Sequence, residues 1–262
     1  MNQMRRLGLF VLLAGTPVVA QADTITLTGR VRDFKGSEEV GGHPDFEAAI
    51  TGVVTGIVGT SLGGDGKPVH AGPPGLGSVT STTTFNQWYN DVAGVNLGAP
   101  LSITLDNGLP GPGGVYSYDN GLFFPIDGML YGNTPGLPPP FDHNYHFTYE
   151  LHTGFTYQVG QTFDFVGDDD LWVFINGQLV IDLGGVHGAA PGSVDLDLLG
   201  LTAGNNYDFD LFFAERRTVA SSFSIETSIQ FDAGNPIPEP GSLLLLASGL
   251  AALTARVRRR QP

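Results

Sequence analysis

The sequence predicts an all-β protein, an antiparallel β sandwich of jelly-roll type with long Gly/Pro-rich loops. Three observations carry this expectation. Apolar residues recur with period two in many short segments; those segments are split by Gly, Asn and Pro; and helical periodicity is scarce.

In chain order, "TITLTGRVRDF" alternates Ile25 and Leu27 against Thr24, Thr26 and Thr28, the pattern of a half-buried strand. The segment from Gly52 to Gly77 is Gly-rich and reads as surface loop, and "TTFNQWYND" (83–91) could hold one helical turn. From Asp106 to Asp142, 15 of 37 residues are Gly or Pro. Its aromatics Tyr116, Tyr118, Phe123, Phe124 and Tyr131 predict a folded insert packed on the sandwich rather than a disordered one. "YHFTYELHTGFTYQ" places Tyr145, Phe147, Tyr149 and Leu151 on one face and His146, Thr148, Glu150 and His152 on the other. Six further short strands follow, and "ING" (175–177) between two apolar runs is a hairpin signal.

The two ends read as addresses rather than fold. Residues 1–22 carry Arg5 and Arg6, an apolar run and "AQA", the layout of a secretory signal peptide. Residues 233–262 carry Pro238, Glu239 and Pro240, an apolar stretch from Gly241 to Ala255 and a cluster of Arg256 and Arg258 to Arg260. That stretch is short against the ~20 residues of a helical span. The arrangement resembles the PEP-CTERM sorting signal of Gram-negative bacteria. The resemblance implies export through the general secretion machinery, an exosortase as partner, transient membrane contact, and delivery to the cell surface or extracellular matrix.

Between them, residues 23–232 form one expected domain. The stretch 23–237 holds six basic and 25 acidic residues, a net charge of −19, which repels nucleic acid and anionic lipid and suits divalent cations. Cysteine is absent, so the fold depends on a hydrophobic core, with metal as a further option.

"GDDDLWVFING" (167–177) sets three adjacent carboxylates at the mouth of the most apolar strand. Their repulsion grows as burial desolvates them, and a cation is the natural compensation. A solvated acidic turn is the plainer alternative.

Six separated motifs, "HPDFE" (43–47), "FNQWYND" (85–91), "YSYDNGLFFPID" (116–127), "HNYHFTYELHTGFTY" (143–157), "GDDDLWVFINGQLVIDLGGVHG" (167–188) and "FDLFFAERR" (209–217), together resemble the fibro-slime domain family. That family is similar to the protective-antigen-type β sandwich of flocculin-like adhesins, and the likeness runs from Thr24 to Ile229. It implies a Ca²⁺ held by Asp168 and Asp169, joined by a cis peptide that brings both carboxylates to one side, where a trans pair would splay them. It further implies the Glu215 side chain and the Arg217 backbone carbonyl as ligands. Asp170 departs from the family pattern and is a further candidate. Calcium, which takes six to eight oxygen ligands, agrees in kind with these residues.

Other chemistries are weakly supported. A glycosidase needs two carboxyls facing across a cleft, and only distant Glu150 or Glu215 could partner Asp168 or Asp169. His143 and His146 are spaced to point apart on a strand, against zinc ligation. Ser193 and Ser222 have no base at motif spacing. Trp88 and Tyr89 are candidates for stacking on sugar, Trp172 reads as core, and His187 in "GGVHG" reads as a structural hydrogen bond with ligand contact as the lesser option. The expectation is a non-catalytic, exported, calcium-dependent carbohydrate-binding or adhesion module, with extracellular polysaccharide or another glycan as partner. The alternative is a structural biofilm-matrix protein whose Ca²⁺ only stabilises a loop.

Overall fold

A computed structural model describes residues 22–232; residues 1–21 of the expected signal segment and the sorting segment, with Pro238, Glu239 and Pro240, lie outside the described residues, and Ala22, the last residue of the expected signal, opens the first strand. The strands are β1 (Ala22–Phe34), β2 (Val58–Leu62), β3 (Pro68–His70), β4 (Asn96–Pro110), β5 (Tyr116–Asn120), β6 (Phe147–Thr156), β7 (Thr162–Asp168), β8 (Asp170–Ile175), β9 (Gln178–Leu183), β10 (Ala190–Asp195), β11 (Asn206–Glu215) and β12 (Ser222–Thr227). One short helix, α1 (Thr82–Phe85), falls in the expected "TTFNQWYND" region, its start fixed by a Ser81–Thr84 capping box. Among the described residues no helix is long and apolar enough to cross a membrane.

All pairings are antiparallel, in the order β10-β7-β12-β5-β4-β1-β6-β11-β8-β9-β2-β3. The ribbon folds over into two layers, with β10-β7-β12-β5 facing β6-β11-β8-β9 and the long β1 and β4 running between them. Cross-layer ring contacts fix the stacking: Phe163 lies 5.0 Å from Phe209, and Phe223 lies 5.2 Å from Phe213. Gly29 marks where β1 begins to pair with β6, because a Cβ there would sit 2.2 Å from the Glu150 carbonyl oxygen. The hairpin between β8 and β9 turns at Asn176 and Gly177 with φ of 52° and 70°, the pair of positive angles a type I′ turn requires.

The alternation in "YHFTYELHTGFTYQ" appears as expected, with Phe147, Tyr149 and Leu151 in the core between layers. The opposite face is also covered: His146, Thr148 and Glu150 are buried. A second apolar cluster lies outside this sheet, where Trp172, Phe174, Phe212 and Ala214 meet Phe46, Ile57, Val58, Phe85, Trp88 and Tyr89. β8 is therefore buried on both faces, and Trp172 is core, donating its indole N–H to Asp182 at 3.0 Å. The Gly-rich stretch 52–77, expected as loop, contributes β2 and β3 and buries Ile57 and Val58 in this outer cluster. The 106–142 insert is folded: it contains the end of β4 and all of β5, and Phe123 stacks on Phe223 at 4.7 Å inside the main core.

Two ionic centres sit beneath the outer layer. Arg216, fully buried, donates from Nε to Asp170 Oδ2 at 2.6 Å and from Nη2 to Asp170 Oδ1 at 3.2 Å. It also donates to the carbonyls of Gly77, Ser78 and Asp45 and lies 4.7 Å over the Trp88 ring. The second centre is Glu150, which accepts from Arg32 at 2.5 Å, from Lys67, and from His152, whose other ring nitrogen meets Asp210 at 2.6 Å. Burial would raise the Glu150 pKa, but the His152 hydrogen bond and the Arg32 and Lys67 charges hold it at about 2. Burial would lower that of His152, but its bonds to Asp210 and Glu150 lift it to about 9.

Two predictions follow from these centres. Asp170→Ala leaves the Arg216 guanidinium buried and unpaired and should cost about 3–5 kcal/mol of stability; a loss below about 1 kcal/mol in denaturant unfolding would contradict this account. The Glu150 contribution is complete above the ordinary value of 4.5 and fades as pH falls towards about 2. That of His152 is complete below 6.5 and fades as pH rises through about 9. Urea unfolding should thus show stability falling between pH 6.5 and 9, and His152→Gln should flatten that limb by on the order of 2 kcal/mol. Equal slopes for the two proteins would remove His152 from the explanation.

Candidate functional site

The chain passes from one layer to the other at the aspartate run: Asp168 ends β7, Asp170 begins β8, and the Asp168–Asp169 peptide bond is cis. Asp168 Oδ1 accepts from the backbone N–H and hydroxyl of Ser222, at the start of β12. Asp169 accepts at Oδ1 from the His187 N–H and at Oδ2 from the Arg216 N–H, both at 3.0 Å. Glu215 ends β11 and accepts from the Arg217 N–H at Oε1, 3.1 Å away. Its Oε2 and the Ser221 hydroxyl are buried without a well-formed hydrogen bond among the described residues, although Ser221 lies near enough to the Glu215 carboxyl to oppose its upward shift.

The electrostatics tie three of these groups together. Burial, then the charge of Asp169 and that of Asp168, push the Glu215 carboxyl well above the carboxylate range. Burial also raises Asp169; the Arg216 charge opposes this and the Asp170 charge adds to it. Desolvated carboxylates that repel one another, with one oxygen left over, fit a hard cation in donor chemistry. Among the described residues, however, no group of three His, Cys, Asp or Glu side chains is arranged to hold a metal alone. Carbonyl oxygens and water would have to complete any such shell, as is usual for calcium.

The other sequence candidates separate. Asp170 points away from this group: its oxygens are taken by Arg216 and by the Gly185 N–H, so it is an ion-pair partner and not a free ligand. The Arg217 carbonyl already accepts from the Val219 N–H at 2.8 Å in the loop after β11, and carbonyl oxygen has a second lone pair to offer. His187 is buried, its ring nitrogens at the carbonyls of Gly188 and Leu183, the structural hydrogen bonding expected, while its N–H helps hold Asp169.

Trp88, expected as a sugar-stacking surface, is instead fully buried: its indole donates to Asp45 Oδ2 at 3.0 Å and its ring packs among Phe85, Phe46, Trp172 and Arg216. Tyr89 is likewise buried. Both are internal because they lie just after α1, in the outer layer itself, and pack inward against Trp172 and Phe212 of the sheet that this layer covers. Glu150, the distant carboxylate a glycosidase pairing would use, is enclosed by three cationic side chains rather than set in a cleft. His143 pairs with Asp127 and His146 with Glu47, so the histidines do not converge.

Sequence reasoning missed Arg216. The signal was present in composition: with six basic residues between 23 and 237, two adjacent arginines after a strand are unusual company for a buried acid.

Residues 135–237, which include the aspartate run and Glu215, match the PA14 domain, a related β sandwich, and residues 236–260 match the PEP-CTERM protein-sorting motif. The chain is 42% identical over 245 residues to protein psiR of Dictyostelium discoideum, covering 87% of this chain and 24% of that protein. It is 46% identical over 217 residues to psiQ of the same organism, covering 79% and 21%. The chain thus spans about a quarter or less of the length of these two relatives. Among solved structures, a PA14 sugar-binding domain from an RTX adhesin aligns at TM-score 0.30 and 14% identity, covering 79% of this chain and 94% of that one. The PA14 domain of the MpAFP antifreeze protein aligns at 0.34 and 10%, covering 86% and 98%.

Proposed function

We propose that this protein is a non-catalytic, exported carbohydrate-binding or adhesion module whose activity depends on Ca²⁺ at the turn between β7 and β8. The observation that supports it most directly is Glu215 Oε2, a buried carboxylate oxygen without a partner beside two further buried carboxylates. Asp168, Asp169 and Glu215, with the Arg217 carbonyl, are the residues that would hold the ion. When bound, Ca²⁺ supplies a hard positive centre able to take hydroxyl oxygens of a sugar. The protein's own part is positional. Ser222, His187 and Arg216 orient the two aspartates from three different strands and loops, so the donors are fixed before any ligand arrives.

The PA14 match supports the adhesion reading, and the sorting-motif match supports export towards the cell surface of a Gram-negative bacterium with an exosortase as partner. The six separated motifs between residues 43 and 217 further support a fibro-slime domain. A structural matrix protein is the second reading, favoured by the burial of all three carboxylates, which suits an ion closed off by protein oxygens.

Calorimetric titration should show Ca²⁺ binding that is lost in the double variant Asp168→Ala, Asp169→Ala. At a hundredfold excess over its Kd, the ion should stabilise the fold by about 2.7 kcal/mol. Absence of binding would end the calcium reading. A glycan array with and without chelator then divides the two functions: chelator-sensitive retention supports the adhesin, and Ca²⁺ binding without any chelator-sensitive glycan leaves the matrix protein.

A further inference from the structure

We propose a second ligand site, a groove for neutral oligosaccharide that needs no metal, at the end of the sandwich opposite the aspartate turn. Along β6, Phe147 pairs with Glu215 at one end and Thr156 with Asn206 at the other. Ten strand residues place the two ends roughly 30 Å apart. At the Thr156 end lies a groove of about 600 Å³, walled by Thr156, Gln158, Gln161, Ser228 and Gln230, with Val115 and Val159 at its rim.

The groove is built rather than incidental. Gln161 is 5% exposed, and its Oε1 accepts from the Gln158 N–H at 2.8 Å, which fixes the side-chain plane. Its Nε2 has no hydrogen-bond partner among the described residues, yet the side chain lines the groove. The amide nitrogen itself is not enclosed, so its two N–H groups are presented to the groove and can donate to a ligand acceptor. The Ser228 oxygen accepts from the Thr162 N–H at 2.9 Å, which leaves its own proton to donate. The turn that carries Gln161 is fixed from outside as well, since the Gly160 N–H donates to Asp197 at 2.7 Å and the Leu196 N–H to the Gln161 carbonyl.

The chemistry selects the ligand class. The lining holds no charged side chain, in a stretch of net charge −19. An ionic ligand would therefore meet no countercharge here. Amides and hydroxyls offer donors and acceptors together, as the vicinal hydroxyls of a sugar require. Val159 at 74% and Val115 at 48% exposure supply apolar contact for the C–H faces of a sugar ring.

The test uses the full chain on an array of neutral glycans in excess EDTA, which silences any calcium site. Retention of a neutral glycan is expected, unaffected by the Asp168→Ala, Asp169→Ala double variant. Gln161→Glu keeps the acceptor for the Gln158 N–H but removes the free donor, and should weaken retention at least tenfold. Gln230→Ala changes an exposed residue of the same groove and should weaken it with an unchanged melting temperature, which covers the case in which Gln161→Glu fails to fold. No neutral glycan retained in EDTA, or retention unchanged in both glutamine variants, overturns the proposal. Neither result touches the calcium site, whose own readout is chelator-sensitive.

Discussion

A guanidinium with no exposed surface must find its partners inside the protein, and Arg216 finds them on four separate segments. Asp170 supplies the countercharge, the carbonyls of Asp45, Gly77 and Ser78 take the remaining N–H groups, and Trp88 lies against its face. None of these contacts is local in sequence except through strand pairing, where Ala214 lies opposite Asp170. The pair therefore fastens the segment of residues 45–88 onto the outer face of β8 and β11. A lysine could not reproduce this, because its ammonium lacks the planar fork that reaches a carboxylate and several carbonyls at once.

Fastening that segment changes what the central strands experience. Once Phe46, Ile57, Phe85 and Trp88 cover the outer face, β8 and β11 are buried on both sides, and every polar group left there must be satisfied internally. Glu150 shows the consequence. It sits on the face of β6 that alternation marks as solvent-facing, but it is enclosed, and Arg32, Lys67 and His152 gather around it.

The six basic residues of the acidic domain are all engaged: Arg30 and Arg32 at Asp91, Lys67 at Glu150, Arg216 at Asp170, Arg217 at Glu47, and Lys35 over the Tyr131 ring. None is directed at Asp168 or Glu215 by an ion pair among the described residues. Arg216 makes its direct contact to Asp169 through its backbone N–H, while its guanidinium acts on that carboxyl only at a distance. Asp168, Asp169 and Glu215 thus share one turn without an ion-pairing side chain, where burial makes their ionisation costly and an added divalent ion favourable.

Much of this was legible in the sequence because it is local. Period-two alternation marks β1 and β6, Asn176-Gly177 marks the hairpin because both residues tolerate positive φ, and the stretch 83–91 overlaps the α-helical turn expected there. Even the packing of the 106–142 insert was readable, since Phe123 and Tyr116 are too apolar to leave in water. What the sequence by itself determined, then, was element type and the location of excess acid. Tertiary structure alone decided which faces are covered. Trp88 is core and not a sugar platform, and Asp170 answers Arg216 and not a metal, because a layer brought from residues 45–88 closes over a sheet face whose residues carry no mark of that cover. Alternation records that a strand has two faces; whether the second meets water depends on chain segments far away in sequence.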